Sequence, residues 1–307
     1  MQIVATIVPI FIIILLGWGV HRRGFLPASF IEPANRLVYY VAIPAMIFQS
    51  ITKSTVREWF NPLVIILPLI ALTGAYVCAW AASSAMRQER SLAGTFIQSS
   101  GHGNLGYIGL AVAYYFLGDS GLVQASVIAG FMMIWQNVLS VMALQFYAPK
   151  TGKTFGLMTY ISKIMGNPVI IAVIAGLFIS LVGIPVPLIL QRSLSIISGL
   201  ALPTALLIIG ASLSLRRIRM FMLTAASAAA IKLMVMPALG WGLYRLFHVV
   251  PADMVPGLIL LASPTATVSY VMAKELHGNS DLAVATISAS TLLSAGTIML
   301  WLKLATG

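Results

Sequence analysis

Ten stretches of the sequence are apolar over the length that a membrane helix requires. A helix needs about 20 predominantly apolar residues to cross a bilayer, so the pattern predicts ten spans. We number these spans 1 to 10, and they cover residues 3–21, 35–52, 61–86, 92–117, 120–147, 160–183, 193–214, 220–247, 254–276 and 281–303. The expected fold is therefore an all-α integral membrane protein.

Two of the ten spans are interrupted in the middle by residues that disfavour a helix. Span 4 contains Gly-His-Gly-Asn-Leu-Gly at 101–106, and span 9 contains Ser-Pro-Thr-Ala-Thr-Val-Ser at 263–269. Backbone groups released from a helix cannot remain unpaired in hydrocarbon, so such breaks are expected to line a cavity. A matched pair of interrupted spans is a sequence indication of a transporter's substrate site.

The two halves of the chain resemble each other at a shift of about 160 residues. This shift lays 117–122 on 277–282 and lays the first break on the second, and a shift of 159 lays Pro44 on Pro203. Each half, 1–147 and 160–307, holds five spans on either side of a cytoplasmic linker at 148–159. An odd number of spans turns the second half upside down, which predicts an inverted repeat. Chance similarity between apolar segments is the alternative.

Composition and charge agree with a membrane protein. The chain of 307 residues is 60% hydrophobic and 8% charged, with a mean hydropathy of +0.99, whereas soluble domains carry about 25% charged residues. The net charge of +11 comes from Lys and Arg in loops, twelve on one side of the predicted membrane and five on the other. This distribution follows the positive-inside rule rather than nucleic-acid binding. It predicts an inner-membrane protein with both termini outside the cytoplasm.

The sequence lacks the residues that most enzyme and metal sites need. All seven acidic residues fall in loops or at span ends, and Cys78 is the single cysteine. Neither a Gly-x-Ser-x-Gly nucleophile nor a His-Glu-x-x-His zinc motif occurs. We therefore predict no enzyme, no metal site and no cofactor, with H+ or Na+ as the candidate coupling ions.

Both breaks carry neutral groups that could bind a ligand. Asn104 offers a donor and an acceptor, while Gly103 and Gly106 allow close backbone approach. His102 is either a proton-coupling group or a neutral partner of the freed backbone. The second break adds hydroxyls after a helix-breaking proline, and the half-helices that start after both breaks direct free N–H groups at an anion. The predicted substrate-binding set is His102, Gly103, Asn104, Gly106, Ser263, Pro264, Thr265, Thr267 and Ser269.

A second group of residues is predicted to support the site or its coupling. Lys232 lies twelve residues into span 8, too deep for its ammonium to reach the membrane surface easily. It either faces the polar cavity, where it holds carbonyls of the broken helices or tunes an anion site, or anchors helix ends without touching substrate. Gln136 and Asn137 are either second partners of the site or interhelical contacts, and Pro44 and Pro203 are expected to kink their helices.

Four motifs together resemble the bacterial auxin efflux carrier family. They are Gly-Asn-Pro-Val-Ile at 166–170, Ala-Ile-Pro-Ala at 42–45, Lys-Leu-Met-Val-Met-Pro at 232–237 and Gly-Asp-Ser at 118–120. The family includes plant auxin exporters and bacterial malonate and malate carriers, and it is related to the bile acid sodium symporters. The resemblance implies scaffold spans 1, 2, 6 and 7, a homodimer through them, and transport spans 3–5 and 8–10. Spans 4 and 9 would cross at their breaks.

The resulting functional prediction is a secondary transporter of small organic anions that works by an elevator mechanism. The substrates expected are mono- or dicarboxylates such as malonate or malate, or auxin-like acids. A sodium-coupled symporter resembling the bile acid carriers is the first alternative. A membrane receptor that senses an anion without moving it is the second.

Overall fold

The computed structural model describes residues 2–53, 61–149 and 166–306. These residues form helices joined by short loops, and the single β-type pairing among them is an isolated bridge. Most of the predicted linker 148–159 and the start of span 6 lie outside the described residues. In chain order the helices are α1 Gln2–Arg22, α2 Ala28–Leu37, α3 Ile43–Thr52, α4 Pro62–Ala85, α5 Arg90–Gly101, α6 Leu110–Tyr147, α7 Pro168–Val182, α8 Leu188–Ser198, α9 Ala201–Ala211, α10 Leu215–Met220, α11 Met222–Ala230, α12 Met236–Leu246, α13 Pro251–Ala262, α14 Val268–Glu275 and α15 Ser280–Thr306.

Six helical segments of the described chain are long and apolar enough to cross a membrane. They are Gln2–Arg22, Pro62–Ala85, Leu105–Tyr147, Leu188–Ala211, Met222–Leu246 and Ser280–Thr306. Pro168–Val182 and Pro251–Ala262 are shorter apolar helices. The 43-residue segment contains the second half of predicted span 4 and all of span 5, and Gly118 divides it with a non-helical conformation at φ 72°.

Some predicted limits were wrong. Helical structure begins at Ala28 rather than 35 for span 2 and at Leu188 rather than 193 for span 7. Both starts follow a proline at the N-cap, Pro27 and Pro187, in extended conformation. The helices thus include residues 28–34 and 188–192, which the hydropathy pattern had left outside the spans.

The described chain divides into two compact units that each interleave segments of both halves. Unit 1 comprises Met1–Pro62, Gly106–Gly130 and Phe155–Ser212, and unit 2 comprises Leu63–Leu105, Phe131–Thr154 and Leu213–Gly307. Both predicted breaks therefore belong to unit 2, except for Gly106, with which a segment of unit 1 begins.

Unit 1 depends on a close crossing of α1 and α9. A methyl group on Gly210 would overlap the backbone carbonyl of Ile14, and one on Gly17 would overlap the backbone of Leu207. Two glycines thus let the two helix backbones touch, as small residues do in membrane helix pairs. This approach lets α1 bury Ile7, Ile10 and Ile14.

We expect Gly210→Ala to destabilise the protein by about 2 kcal/mol, because the new Cβ collides with rigid backbone and forces α1 and α9 apart. Thermal unfolding in detergent measures this effect. Gly19→Ala on α1, the other helix of this pair, is the control, since a Cβ there meets no atom within 4 Å. It should leave the melting temperature unchanged or raise it slightly, and equal losses in both variants would contradict the packing argument.

Candidate functional site

The two breaks meet inside unit 2 and pair through their backbones. The N–H of Asn104 donates to the carbonyl of Pro264 at 2.7 Å, and the N–H of Ala266 donates to the carbonyl of His102 at 2.9 Å. These bonds form an antiparallel bridge between Gly103 and Thr265. The extended backbone needed for this pairing follows α5 at His102 and α13 at Ser263. The breaks predicted in spans 4 and 9 are confirmed, and two of the released N–H groups and two of the carbonyls find partners in the opposite break.

Gln136 of α6 completes the pairing around Gly103. Its Oε1 accepts from the Gly103 N–H at 3.0 Å, and its Nε2 donates to the Gly103 carbonyl at 3.2 Å. A side-chain amide carries the same donor and acceptor as a peptide group, so Gln136 acts as a second strand partner. Its side chain is buried at 2% exposure. Of the two roles left open for Gln136, this geometry favours direct support of the break.

Thr265 joins the second break to two neighbouring helices. Its N–H donates to Oγ of Ser290 on α15 at 3.1 Å, and its Oγ1 donates to the carbonyl of Ser99 on α5 at 2.8 Å. The Ser99 carbonyl lies in the last turn of α5, where helix carbonyls lack an intrahelical partner. Thr265 therefore caps α5, and it has a structural task besides any contact with substrate.

His102 begins a chain of hydrogen bonds that leads away from the break. Its Nδ1 lies 2.8 Å from Oγ of Ser140, and this hydroxyl lies 2.7 Å from Oη of Tyr76. The Tyr76 ring packs against Gly101, where a Cβ would overlap the ring. His102 is buried at 2% exposure, and its bonds tie the break to α4 and α6. The ring therefore bonds to a hydroxyl of α6, and this bond is not one to the freed backbone groups that the second prediction named.

Lys232 lies next to the place where the two breaks pair, which is called the crossing from here on. It is fully buried, and its Nζ donates to the carbonyl of Leu261 at 2.7 Å and lies 3.4 Å from Sδ of Met236. A Cβ added at Gly103 would be 3.2 Å from Cε of Lys232, so the lysine stem packs on the break itself. Leu261 is the penultimate residue of α13, and the ammonium thus sits at the negative end of that helix. No other Lys, Arg, Asp or Glu is buried among the described residues.

The start of α14 is the part of the crossing that is suited to an anion. Its first turn uses the N–H groups of Ser269 and Tyr270 for bonds to Ala266 and Thr267. The N–H groups of Thr267 and Val268 precede that turn and point out of the positive end of the helix. Thr267 is half-buried, while the fully buried Ser269 hydroxyl has no hydrogen-bond partner among the described residues.

Other predicted residues lie elsewhere in the two units. Asn137 donates to the carbonyl of Met133 in its own helix at 2.7 Å. This bond does not reach the break. Pro44 and Pro203 lie in unit 1, near the starts of α3 and α9. Among the described residues no group of three or more His, Cys, Asp or Glu could hold a metal ion.

A protein-family model described as "Membrane transport protein" matches the chain twice, over residues 2–159 and 154–302. The chain belongs to this family, the auxin efflux carriers. Its motifs indicated the same family.

Similar proteins cover almost the full length of the chain. A protein of Rhizobium meliloti named "Putative malonate transporter" is 26% identical, with 97% of this chain and 94% of that protein aligned. An uncharacterized transporter of Methanothermobacter thermautotrophicus is 24% identical, with 96% of each chain aligned. The uncharacterized transporter YfdV of Escherichia coli K12 is 22% identical, with 97% and 96% aligned. The protein is thus an integral membrane transport protein, and the family points to transport rather than catalysis.

Several partners in this carrier's crossing were absent from the sequence prediction. Ser140, Ser290 and Ser99 bond to residues of the breaks, and Tyr76 bonds to Ser140. Each is a polar residue in an apolar span, which is the only signal that could have found it. The position of such a residue along its span does not show which neighbouring helix its side chain contacts.

Proposed function

We propose that the protein is a secondary transporter of small organic anions, with mono- and dicarboxylates such as malonate and malate, or auxin-like acids, as its substrates. The observation that carries this proposal is the start of α14, where the N–H groups of Thr267 and Val268 and the Ser269 hydroxyl have no hydrogen-bond partner in the described part of the chain. A carboxylate binds well at a helix N-terminus, because N–H groups and the helix dipole both favour negative charge. The similarity to a protein named as a malonate transporter supports the same substrate class.

The buried charges support an anion rather than a cation as the transported molecule. Lys232 places one positive charge next to the crossing, and no buried carboxylate among the described residues balances it. An unpaired ion in an apolar interior is costly, so an incoming anion lowers this cost. Asn104 is buried at 5% exposure beside the pairing, and we assign its side chain to substrate binding.

We further propose that ten spans form two inverted five-helix repeats, and that unit 2 moves as an elevator against unit 1. Unit 1 contains spans 1 and 2, the described part of span 6 and nearly all of span 7. Unit 2 contains spans 8, 9 and 10. This division supports a scaffold and a transport domain. The segment 106–130 departs from it, because the second half of span 4 and the start of span 5 belong to unit 1. The proposal includes a homodimer through the scaffold, in an inner membrane with both termini outside.

Transport by the purified protein in liposomes tests this function. Malonate, malate, lactate and indole acetate are each supplied to liposomes preloaded with the same anion, and counterflow of the radiolabelled molecule is recorded with and without sodium. Saturable counterflow of at least one carboxylate is expected. Equal rates in protein-free liposomes for the whole panel would reject a carboxylate carrier.

Asn104→Ala should reduce counterflow of the transported carboxylate by about 10- to 100-fold. A hydrogen bond to a charged group contributes about 1.5–3 kcal/mol, and each 1.4 kcal/mol corresponds to a factor of ten. The backbone bond from Asn104 to Pro264 survives the change, so the melting temperature should fall little. Asn137→Ala removes an amide bonded to its own helix and serves as the control. Unchanged kinetics in the Asn104 variant would remove this residue from the site.

A further inference from the structure

Four side-chain oxygens near the crossing have no hydrogen-bond partner among the described residues. They are Oε1 of Gln98 and Oγ of Ser99 on α5, Oγ of Ser269 on α14 and Oγ1 of Thr286 on α15. All four side chains are fully buried. Buried polar atoms normally find partners, and Ser and Thr in membrane helices usually bond to their own helix carbonyls, as Ser100 does to Phe96. Ser126, Thr291 and Thr297 are exceptions as well, but the four oxygens above lie on three adjacent helices beside the paired breaks.

Hydrogen bonds fix the directions in which these helices face one another. Oγ1 of Thr95 on α5 accepts from the N–H of Asn279, in the turn between α14 and α15, at 2.8 Å. Ser99 lies one turn further along the same face of α5, so it points into the hairpin of α14 and α15. Nε2 of Gln98 lies 3.8 Å from Sδ of Met272 on α14, which places the Gln98 side chain against the same hairpin.

Ser269 and Thr286 lie at the same distance from the turn that joins α14 to α15. Ser269 is six residues before the end of α14 at Glu275, and Thr286 is six residues after the start of α15 at Ser280. At 1.5 Å per residue, each is about 9 Å from the turn. Thr286 also lies one turn before Ser290, whose hydroxyl accepts from the N–H of Thr265, and Thr265 in turn donates to the Ser99 carbonyl on α5. Helical spacing therefore puts the four oxygens on the faces that α5, α14 and α15 turn towards one another, about one turn from the crossing.

The chemistry of this group suits a small cation. Hydroxyl and amide oxygens are hard neutral ligands, which prefer ions such as Na+ to soft metals. The free atom of Gln98 is an oxygen that can only accept, so it needs a positive ligand or a donor and cannot hold an anion. No carboxylate is buried nearby among the described residues to balance a divalent ion, and this favours a single positive charge.

We propose that Gln98, Ser99, Ser269 and Thr286 bind a monovalent cation of the size of Na+ and that this cation couples to the substrate. The coupling rests on the proposed function, whereas the cation site itself does not. Ser269 links the two ligands, because its hydroxyl hydrogen can donate to the anion while a lone pair of the same oxygen binds the cation. Opposite charges so close favour each other's binding, so each ligand should raise the affinity of the other by the same factor. Lys232 opposes the cation when no anion is bound.

Thermal unfolding of the purified carrier in sodium tests the cation site directly. Melting temperatures are measured in NaCl, KCl and choline chloride at constant ionic strength, without substrate. Saturating sodium should raise the melting temperature of the wild-type protein by about 5 °C over choline. Thr286→Val should raise the sodium concentration at half-maximal shift at least about tenfold, because it removes one ligand at constant shape. A direct 22Na+ binding measurement should give the same ratio.

Thr291→Val is the matched control on the same helix. Thr291 is also buried with an unpartnered hydroxyl, but five residues along a helix turn it about 140° away from Thr286. Its sodium response should match the wild type within about twofold. Ser99→Ala removes another of the four proposed cation ligands. It should weaken the sodium response in the same way and replaces Thr286→Val if that variant fails to fold.

The outcomes separate the two proposals. No sodium shift in the wild type, an equal shift in potassium, or equal losses in the Thr286 and Thr291 variants would each reject the cation site, even where carboxylate counterflow is observed. A sodium shift that is lost in Thr286→Val, in a protein without counterflow of any tested carboxylate, would keep the cation site and reject the anion carrier.

Discussion

Replacing Gln136 with methionine is expected to lower the free energy of unfolding by about 2–6 kcal/mol and to abolish transport. The variant keeps the length of the side chain but removes both bonds to the Gly103 backbone, at 3.0 and 3.2 Å. A buried N–H and a buried carbonyl are then left without partners, and each costs about 1–3 kcal/mol. The melting temperature in detergent should fall by about 5–15 °C.

The neighbouring residue provides the control for this experiment. Asn137→Leu removes an amide from the same helix, but that amide donates to the Met133 carbonyl of its own helix. Helix carbonyls in mid-span already accept one backbone bond, so we expect the free energy of unfolding to fall by less than about 1 kcal/mol. Similar losses in the Gln136 and Asn137 variants would show that Gln136 contributes as a general polar contact rather than as a partner of the break.

Transport should fail in Gln136→Met even where folded protein is recovered. Gly103 is held from one side by Gln136, while its neighbours on both sides bond to the second break. Loss of one partner frees Gly103 to rotate, and the Asn104 side chain next to it loses its fixed direction. A small displacement of a binding group is sufficient to reduce activity strongly. Counterflow measured at equal amounts of folded protein separates this effect from loss of stability.

The sequence predicted the positions of the two breaks because their causes are local. Gly101, Gly103 and Gly106 in one span and Pro264 in the other disfavour a helix wherever they occur. The repeat was likewise visible in the chain itself, because a shift of about 160 residues lays 117–122 on 277–282 and one break on the other. The structure ends α5 at Gly101 and α13 at Ala262, within the predicted spans.

The partners of the breaks could not be predicted in the same way. Gln136 reaches Gly103 because of the rotation of α6, and packing sets this rotation rather than the local sequence. In the described part of the chain, π-helical turns at Val38–Ala42, Leu105–Gly109 and Ile231–Val235 each shift the helical register by about one residue. The last of them contains Lys232, so its direction towards Leu261 could not be derived from regular helical spacing. The unpartnered oxygens of Ser99 and Thr286 were hidden because most membrane serines and threonines bond within their own helix.

Lys232→Met should leave the protein folded and reduce carboxylate transport by at least about tenfold. Replacing a buried ion by an apolar side chain of similar length removes a desolvation cost of several kcal/mol. The loss of the bond to the Leu261 carbonyl costs about 1–3 kcal/mol. These terms have opposite signs, and a small net change in melting temperature follows. Transport should fall because the anion loses its nearest buried positive charge, and the loss should appear mainly as a higher KM for the carboxylate.

A second variant distinguishes the charge of Lys232 from its hydrogen bond. Lys232→Gln keeps a donor for the Leu261 carbonyl at the end of α13 but carries no charge. If charge attracts the substrate, this variant should be at least as stable as the wild type, because it keeps the bond and loses the buried ion, and as poor in transport as Lys232→Met. Lys303→Met, at the exposed end of α15, should retain normal kinetics. Normal saturation by malonate in both Lys232 variants would show that the ammonium only caps the helix, and anion attraction would then have to come from the α14 N-terminus alone.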